Sequence, residues 1–171
     1  MHTNLADPIR FEQLLIKPIS VFEDEIGDDF ENNMFGKDFY YISDEFIQKN
    51  FYGMSYNVIS VQRDDYQIVQ SISIHFREVI DQDFYDNFIE VYGEPNHIHV
   101  IQKRTVISEG KYVSDDGDFI SNVRKSEVDV REGTFDEKPL FIIWNKEYYQ
   151  IKAYLRHKQN ISEIIFSTIE K

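Results

Sequence analysis

A strict alternation of side chains over residues 67–76 constrains the fold of this chain more than any other feature. Isoleucine or phenylalanine stands at positions 68, 72, 74 and 76, and Ser71, Ser73 and His75 stand between them. Because successive side chains of a strand point to opposite faces, this pattern predicts a strand with one face against a core. A single buried face is typical of antiparallel sheets, so we expect an antiparallel sheet rather than a parallel one.

A helix is the next clear prediction. Residues 82–92 carry apolar side chains at helical spacing, with Asp81 placed to cap the first turn. The sequence Gly93-Glu94-Pro95 follows, and glycine then proline is a common end of a helix. Short N-terminal helices are expected before residue 50.

Further strands are predicted on both sides of this helix. They cover residues 38–42, 56–62, 96–108, 140–144, 149–155 and 161–169. Residues 28–37 are acidic, and we expect a loop or a frayed helix there. Residues 121–139 are polar, charged and poorly periodic, so we expect a loop or a flexible excursion. The order predicts an α+β protein: an antiparallel sheet of hairpins and a C-terminal meander, with the short N-terminal helices and the central helix packed on it. We expect one domain, 1–171, with 1–95 and 96–171 as the alternative subdomains.

Charge and aromatic content describe the surface and the core. The chain has 31 acidic and 18 basic residues, a net charge of -13, together with 14 Phe, 11 Tyr and 1 Trp. Disordered chains have few aromatic residues, so this composition predicts a folded domain with an acidic surface. Such a surface repels phosphate backbones, and we expect no nucleic-acid partner.

Several kinds of catalytic and cofactor site are excluded because the sequence lacks the residues or motifs that they require. The chain has no cysteine, which excludes disulfides, thiolate zinc sites and a cysteine nucleophile. It has no G-x-S-x-G, G-x-x-x-x-G-K or G-x-G-x-x-G motif. We therefore expect no cofactor and no catalytic residues. Because no targeting segment or membrane span is recognisable, a cytoplasmic protein without a membrane partner is expected.

His97-Ile98-His99 is a weak candidate for a metal site. On a strand, residues two apart point to the same side, so both imidazoles could reach one ion. Glu94 or His75 is the third ligand that the sequence suggests. The pattern is common, however, and the competing interpretation places both histidines on the solvent face with Ile98 and Val100 inward. On balance we expect no metal.

An acidic stretch with interleaved aromatic residues is the predicted partner-binding surface. Its residues are Glu23, Asp24, Asp28, Asp29, Glu31, Phe30 and Tyr40. Acidic groups accelerate association with a basic partner, and aromatic side chains supply buried anchors.

The leading functional hypothesis is a non-enzymatic, acidic protein-binding module, such as an immunity-type inhibitor that neutralises a basic partner. A first alternative is a small-ligand-binding protein or an enzyme, with His75, His97 and His99 converging on a concave sheet face. A second alternative is a structural subunit whose aromatic residues are buried in an assembly.

Overall fold

A computed structural model describes residues 8–26, 30–34, 37–41, 49–113, 117 and 120–169. The helices are Ile19–Ile26 (α1) and Gln82–Tyr92 (α2), with 3₁₀ turns at Phe11–Leu14 and Phe135–Glu137. The strands are Phe30–Met34 (β1), Lys37–Tyr41 (β2), Lys49–Phe51 (β3), Met54–Arg63 (β4), Val69–Phe76 (β5), His97–Val113 (β6), Ile120–Glu132 (β7), Phe141–Asn145 (β8), Tyr149–Arg156 (β9) and Ile161–Thr168 (β10).

These ten strands form one sheet. Their order is β1-β2-β4-β5-β10-β9-β8-β6-β7, with β3 paired to β4 outside this path. Every strand pair is antiparallel, so the predicted class is confirmed at the level of an α+β protein that is mainly antiparallel sheet. Neither helix in the described part of the chain has the length and apolar composition needed to cross a membrane.

The hairpin predicted from the alternating pattern is confirmed as β4 and β5. Ile59 lies opposite Ile74, and Ser60 lies opposite Ser73 on the other face. Ile59, Ile72 and Ile74 are completely or almost completely buried. Ser60 and Ser73 are buried as well, at 3% and 2% exposed, so the alternation separates an apolar core face from a covered polar face.

The predicted helix is confirmed with both of its ends. The carboxylate of Asp81 accepts a hydrogen bond from the Phe84 amide at 2.8 Å, and Gly93 ends the helix with φ +75°. The ring of Phe88 contacts that of Trp144 in β8 at 5.0 Å, and the Trp144 indole donates to the Gly93 carbonyl at 2.9 Å. The end of α2 is thus fixed to the sheet by one aromatic contact and one hydrogen bond.

Strands from both halves of the chain share the centre of the sheet. Strand β5 pairs with β10 from Ser71 opposite Ser167 to Phe76 opposite Ser162. The C-terminal meander is confirmed, because β8, β9 and β10 follow one another in both sequence and sheet order. The division of the chain into domains remains a prediction.

Two segments that were expected to be loops are strands. Residues 28–37 contain β1, and residues 121–139 contain β7. The prediction for β7 was wrong because it rested on missing periodicity. Alternation appears only where one face is buried, and β7 pairs along its whole length with β6 while most of its described side chains remain exposed.

Candidate functional site

A long two-stranded ribbon extends beyond the body of the sheet. Strand β6 pairs with β8 only over residues 97–99, whereas it pairs with β7 from His99 opposite Glu132 to Val113 opposite Ile120. We call residues 101–113 and 120–131 the arm. Its two strands have only each other as partners among the described strands. At about 3.3 Å per residue the arm is on the order of 40 Å long.

The arm is exposed on both faces. Every residue of β6 from Ile101 to Val113 whose side chain is described is exposed. The register shifts between Ile101 and Lys103 and between Val106 and Ser108, which places two bulges in β6. An isolated two-stranded hairpin is marginally stable in water, so the arm gains little from contacts of its own.

One face of the arm carries a row of aliphatic side chains. Because cross-strand neighbours share a face, Ile101 and its partner Val130 lie on the same side as Val128 and Val106. Ile101, Val106 and Val130 are between 37% and 43% exposed. The opposite face is mostly polar and includes the pairs Lys103–Asp129, Thr105–Glu127 and Ser108–Lys125. Arg104, the partner of Val128, interrupts the aliphatic row, and the pairs Glu109–Arg124 and Lys111–Asn122 follow on the same face. The arm is therefore amphipathic mainly near its base, where Ile101 borders a cleft.

The charge of the arm differs from that of the whole protein. The described arm has six basic residues and three acidic ones, which gives a net charge of +3 against -13 for the chain. Its basic residues are Lys103, Arg104, Lys111, Arg124, Lys125 and Arg131, and its acidic residues are Glu109, Glu127 and Asp129. Residues 114–119, between the two strands, add Asp115, Asp116 and Asp118, so the stretch 101–131 is neutral as a whole in a chain of net charge -13.

A cleft of about 590 Å³ lies where the arm joins the sheet. Arg104, Lys138, Arg156 and Lys158 line it together with apolar and polar residues, and none of its described lining residues is acidic. The cleft is therefore positively charged, in contrast to the net negative charge of the chain.

The base of the arm is held by several polar contacts. The Gly133 amide donates to the Ile98 carbonyl at 2.9 Å. Arg131 contacts Glu137 at 2.6 Å, and Glu137 accepts from the Thr134 amide in a capping box. A side chain at position 133 would meet the methyl groups of Val100 at 2.8 Å, so this close approach requires glycine. The junction is therefore more firmly fixed than the arm beyond it.

His97, His99 and Glu132 come together at this junction. His97 Nδ1 donates to Glu132 Oε1 at 2.8 Å, and His99 Nε2 lies 3.8 Å from the same oxygen. This hydrogen bond is the main reason that the pKa of Glu132 lies below its ordinary value. The second oxygen of Glu132 accepts from the Ile98 amide at 3.3 Å. Two imidazoles and one carboxylate thus converge on a partly solvent-exposed point.

The sequence predicted two members of this cluster but suggested the wrong third. His97 and His99 share the outer face of β6, with Val100 buried on the other side. His75 lies in the same cross-strand row, but β10, β9 and β8 intervene, a separation of about 19 Å. Glu94 also lies outside the cluster. The sequence signal for Glu132 is the weak alternation of Val128-Asp129-Val130-Arg131-Glu132.

The acidic and aromatic surface predicted from the sequence is described only in part. Glu23 and Asp24 are exposed on α1. Asp28 and Asp29 lie outside the described residues. The backbones of Phe30 and Glu31 belong to β1 and that of Tyr40 to β2, where side chains are not described. This surface therefore remains a prediction.

Comparison with known proteins gives no match. No protein-family model fits the chain, and searches of curated proteins and of solved structures found none that matches it.

Proposed function

We propose that this protein is a non-enzymatic protein-binding module and that a partner covers its arm. The observation that carries the proposal is the row of exposed aliphatic side chains on a ribbon with no other described strand beside it. Contiguous exposed apolar surface marks interaction sites in soluble proteins. The broad functional class is the one expected from the sequence, but the surface is a different one.

The shape of the arm favours a macromolecule over a small ligand. Small molecules bind in concave pockets that enclose most of their surface, whereas the arm is an extended ribbon. Strand β7 is also the last strand of the sheet. An added strand of a partner can pair with such an edge while its side chains meet the aliphatic row.

Charge indicates the partner surface that fits the arm. The cleft beside the arm is lined by four arginine and lysine side chains, and none of its described lining residues is acidic. Complementary potentials accelerate association and disfavour wrong partners. We therefore expect an apolar strip bordered by acidic groups on the partner.

The test compares two threonine variants of the full-length chain. Val106→Thr/Val128→Thr changes the aliphatic row, and Val123→Thr makes the same chemical change on the opposite face, where Val123 is 59% exposed. Threonine keeps the branched shape that strands favour. Proteins that cross-link to the wild type are identified and their affinities measured. We expect a true partner to bind Val123→Thr normally and the double variant at least about 10-fold more weakly. Equal affinity for both variants contradicts the proposal.

An immunity-type inhibitor of a basic enzyme remains a second proposal. It is supported by the net charge of -13 and by the exposed Glu23 and Asp24 on α1. Its partner should bind less tightly as salt is added, because exposed charges are screened. Glu23→Gln/Asp24→Asn should weaken that binding, while the arm variants leave it unchanged. If the arm variants weaken binding and Glu23→Gln/Asp24→Asn leaves it unchanged, the partner binds the arm.

Self-assembly is a distinct outcome of the same experiments. If the cross-linked partner is a second copy of the chain, sedimentation at increasing concentration should show association. The double variant should then remain monomeric at concentrations where Val123→Thr associates.

A further inference from the structure

We propose that His97, His99 and Glu132 bind a divalent transition-metal ion, for which Zn²⁺ is the reference, at the base of the arm. This inference goes beyond the proposed protein-binding function and is independent of it. The ligand atoms are His97 Nδ1, His99 Nε2 and Glu132 Oε1. One ligand atom from each of the three residues can be chosen so that all lie within 4.8 Å of one another.

The distances match a metal site after a small adjustment. Zinc binds imidazole nitrogen and carboxylate oxygen at about 2.1 Å, so neighbouring ligands in a tetrahedral site lie about 3.4 Å apart. Glu132 Oε1 lies 2.8 Å from His97 Nδ1 and 3.8 Å from His99 Nε2, so one distance is shorter and the other longer than this value. Side-chain shifts that bring these two separations to the same value would place Glu132 Oε1 at coordination spacing from both imidazole nitrogens.

The backbone fixes the relative positions of the three residues. His97 and His99 are two apart on one strand, and Glu132 lies directly opposite His99 on β7. Sites on paired strands are more rigid than sites on loops. The Ile98 amide orients the second carboxylate oxygen, which is the kind of outer contact that metal ligands use.

The environment of His99 directs one nitrogen toward the site. The ring packs against Phe141 with centroids 4.7 Å apart. Its Nδ1 atom is buried and has no hydrogen-bond partner among the described residues. Nε2, which faces Glu132, is therefore the nitrogen that remains open to a ligand.

The ligand set indicates the class of ion. Two imidazoles and one carboxylate suit Zn²⁺, Ni²⁺, Cu²⁺ or Fe²⁺, whereas Mg²⁺ and Ca²⁺ prefer oxygen ligands throughout. Three protein ligands leave a position for water or for a group from a bound partner. The side chains of His97 and Glu132 are 48% and 61% exposed, so that position faces solvent.

Titration of the untagged, chelator-treated full-length protein with Zn²⁺ alone tests the site by calorimetry. We expect one saturable ion per chain and no comparable binding of Mg²⁺ or Ca²⁺. Because the chain has no cysteine, no thiolate can compete for the ion. An absence of saturable Zn²⁺ binding overturns the proposal.

Variants identify the ligands. His97→Gln and His99→Gln should each lower the affinity by more than about 100-fold, the upper range for loss of an outer-shell contact. Glu132→Gln keeps the shape of the side chain and should also bind more weakly. His75→Gln, a histidine on the same face of the sheet, should bind Zn²⁺ like the wild type.

A rescue variant separates lost ligands from lost folding. His97→Cys replaces one metal ligand by another, so it should retain the Zn²⁺ binding that His97→Gln loses. Circular dichroism of the metal-free variants checks that each remains folded. Equal Zn²⁺ affinity in His75→Gln, His97→Gln and His99→Gln contradicts the assignment, as does a failure of His97→Cys to rescue binding.

Discussion

Two long hairpins of this protein have the same kind of backbone pairing and very different surroundings. The β4–β5 hairpin lies inside the sheet between β2 and β10, with one face in the core. The β6–β7 arm lies beyond the edge of the sheet and is exposed on both faces. The pattern of side chains in the first follows from burial. In the second, Ile101, Val106 and Val130 remain 37–43% exposed, which is why we propose that a partner covers them.

The largest expected difference between the hairpins is in the cost of removing an isoleucine. Ile74 is completely buried in β5, whereas Ile101 in the arm is 39% exposed. Ile74→Ala should lower the free energy of unfolding by about 2–5 kcal/mol because it leaves a cavity. Ile101→Ala, the matched variant, should change it by less than about 0.5 kcal/mol. Urea denaturation measures both, and similar losses would show that the arm is packed against the body.

The two hairpins should also differ in local stability, as measured by the hydrogen exchange of their backbone amides. Amides of the β4–β5 hairpin should exchange with solvent only on global unfolding, whereas the arm can open by itself. We expect protection from hydrogen exchange to be on the order of 100-fold lower in the arm, because its opening exposes little apolar surface. Mass spectrometry of exchanged peptides reports this difference. Equal protection in both hairpins would contradict it.

Alkaline pH should lower the stability of the body of the protein. Burial, together with the nearby Glu12 carboxylate that accepts from its hydroxyl at 2.8 Å, raises the pKa of Tyr92 well above its ordinary value. The folded state therefore keeps this proton while the unfolded chain loses it near pH 10. Stability should be fully present below about pH 10 and should fall as pH rises above it.

Tyr92→Phe is the control for this titration. It removes a hydrogen bond to a carboxylate and should cost about 1–3 kcal/mol at neutral pH. Its stability should then fall less steeply above pH 10 than that of the wild type, as measured by thermal unfolding over a pH series. Burial also raises the pKa values of Tyr52, Tyr85 and Tyr149, so part of the decline should persist. Parallel pH profiles for both proteins would remove Tyr92 from the explanation.

Only a small effect is expected from removing most of the arm. Replacing residues 102–129 by a short loop containing Asn-Gly, joined to the opposite partners Ile101 and Val130, keeps the junction and removes the ribbon. The free energy of unfolding should change by less than about 1 kcal/mol, because few contacts with the body are lost. Zn²⁺ binding by His97, His99 and Glu132 should persist. A large loss of stability would show that the arm supports the fold.

The parts of the fold that could be predicted are those with local signals. The alternation over 67–76 and the capped helix at Gln82–Tyr92 each give a signal that lies within one short stretch of the sequence. Strand β7 could not be recognised because a ribbon with two exposed faces has no core that imposes a pattern on its side chains. Weak patterning thus reflected exposure and not the absence of a strand.

In the candidate metal site, too, one part follows from local sequence and another depends on long-range strand pairing. The spacing of His97 and His99 places them on one face of any strand that contains them. Their proximity to Glu132 depends on the register between β6 and β7, which spans 33 positions from His99 and carries two bulges in β6. Register over such a distance has no local signature in the sequence, so His75 and Glu94 were equally plausible as partners before the pairing was known.

The two bulges in β6 have a consequence for how an exposed ribbon avoids self-association. Each bulge increases the right-handed twist of the strands around it. A strongly twisted edge cannot stay aligned with an identical edge over many residues, although flat edges readily stack into fibrils. The arm can therefore present open backbone groups and aliphatic side chains to a shaped partner while resisting the repetitive pairing that leads to aggregation.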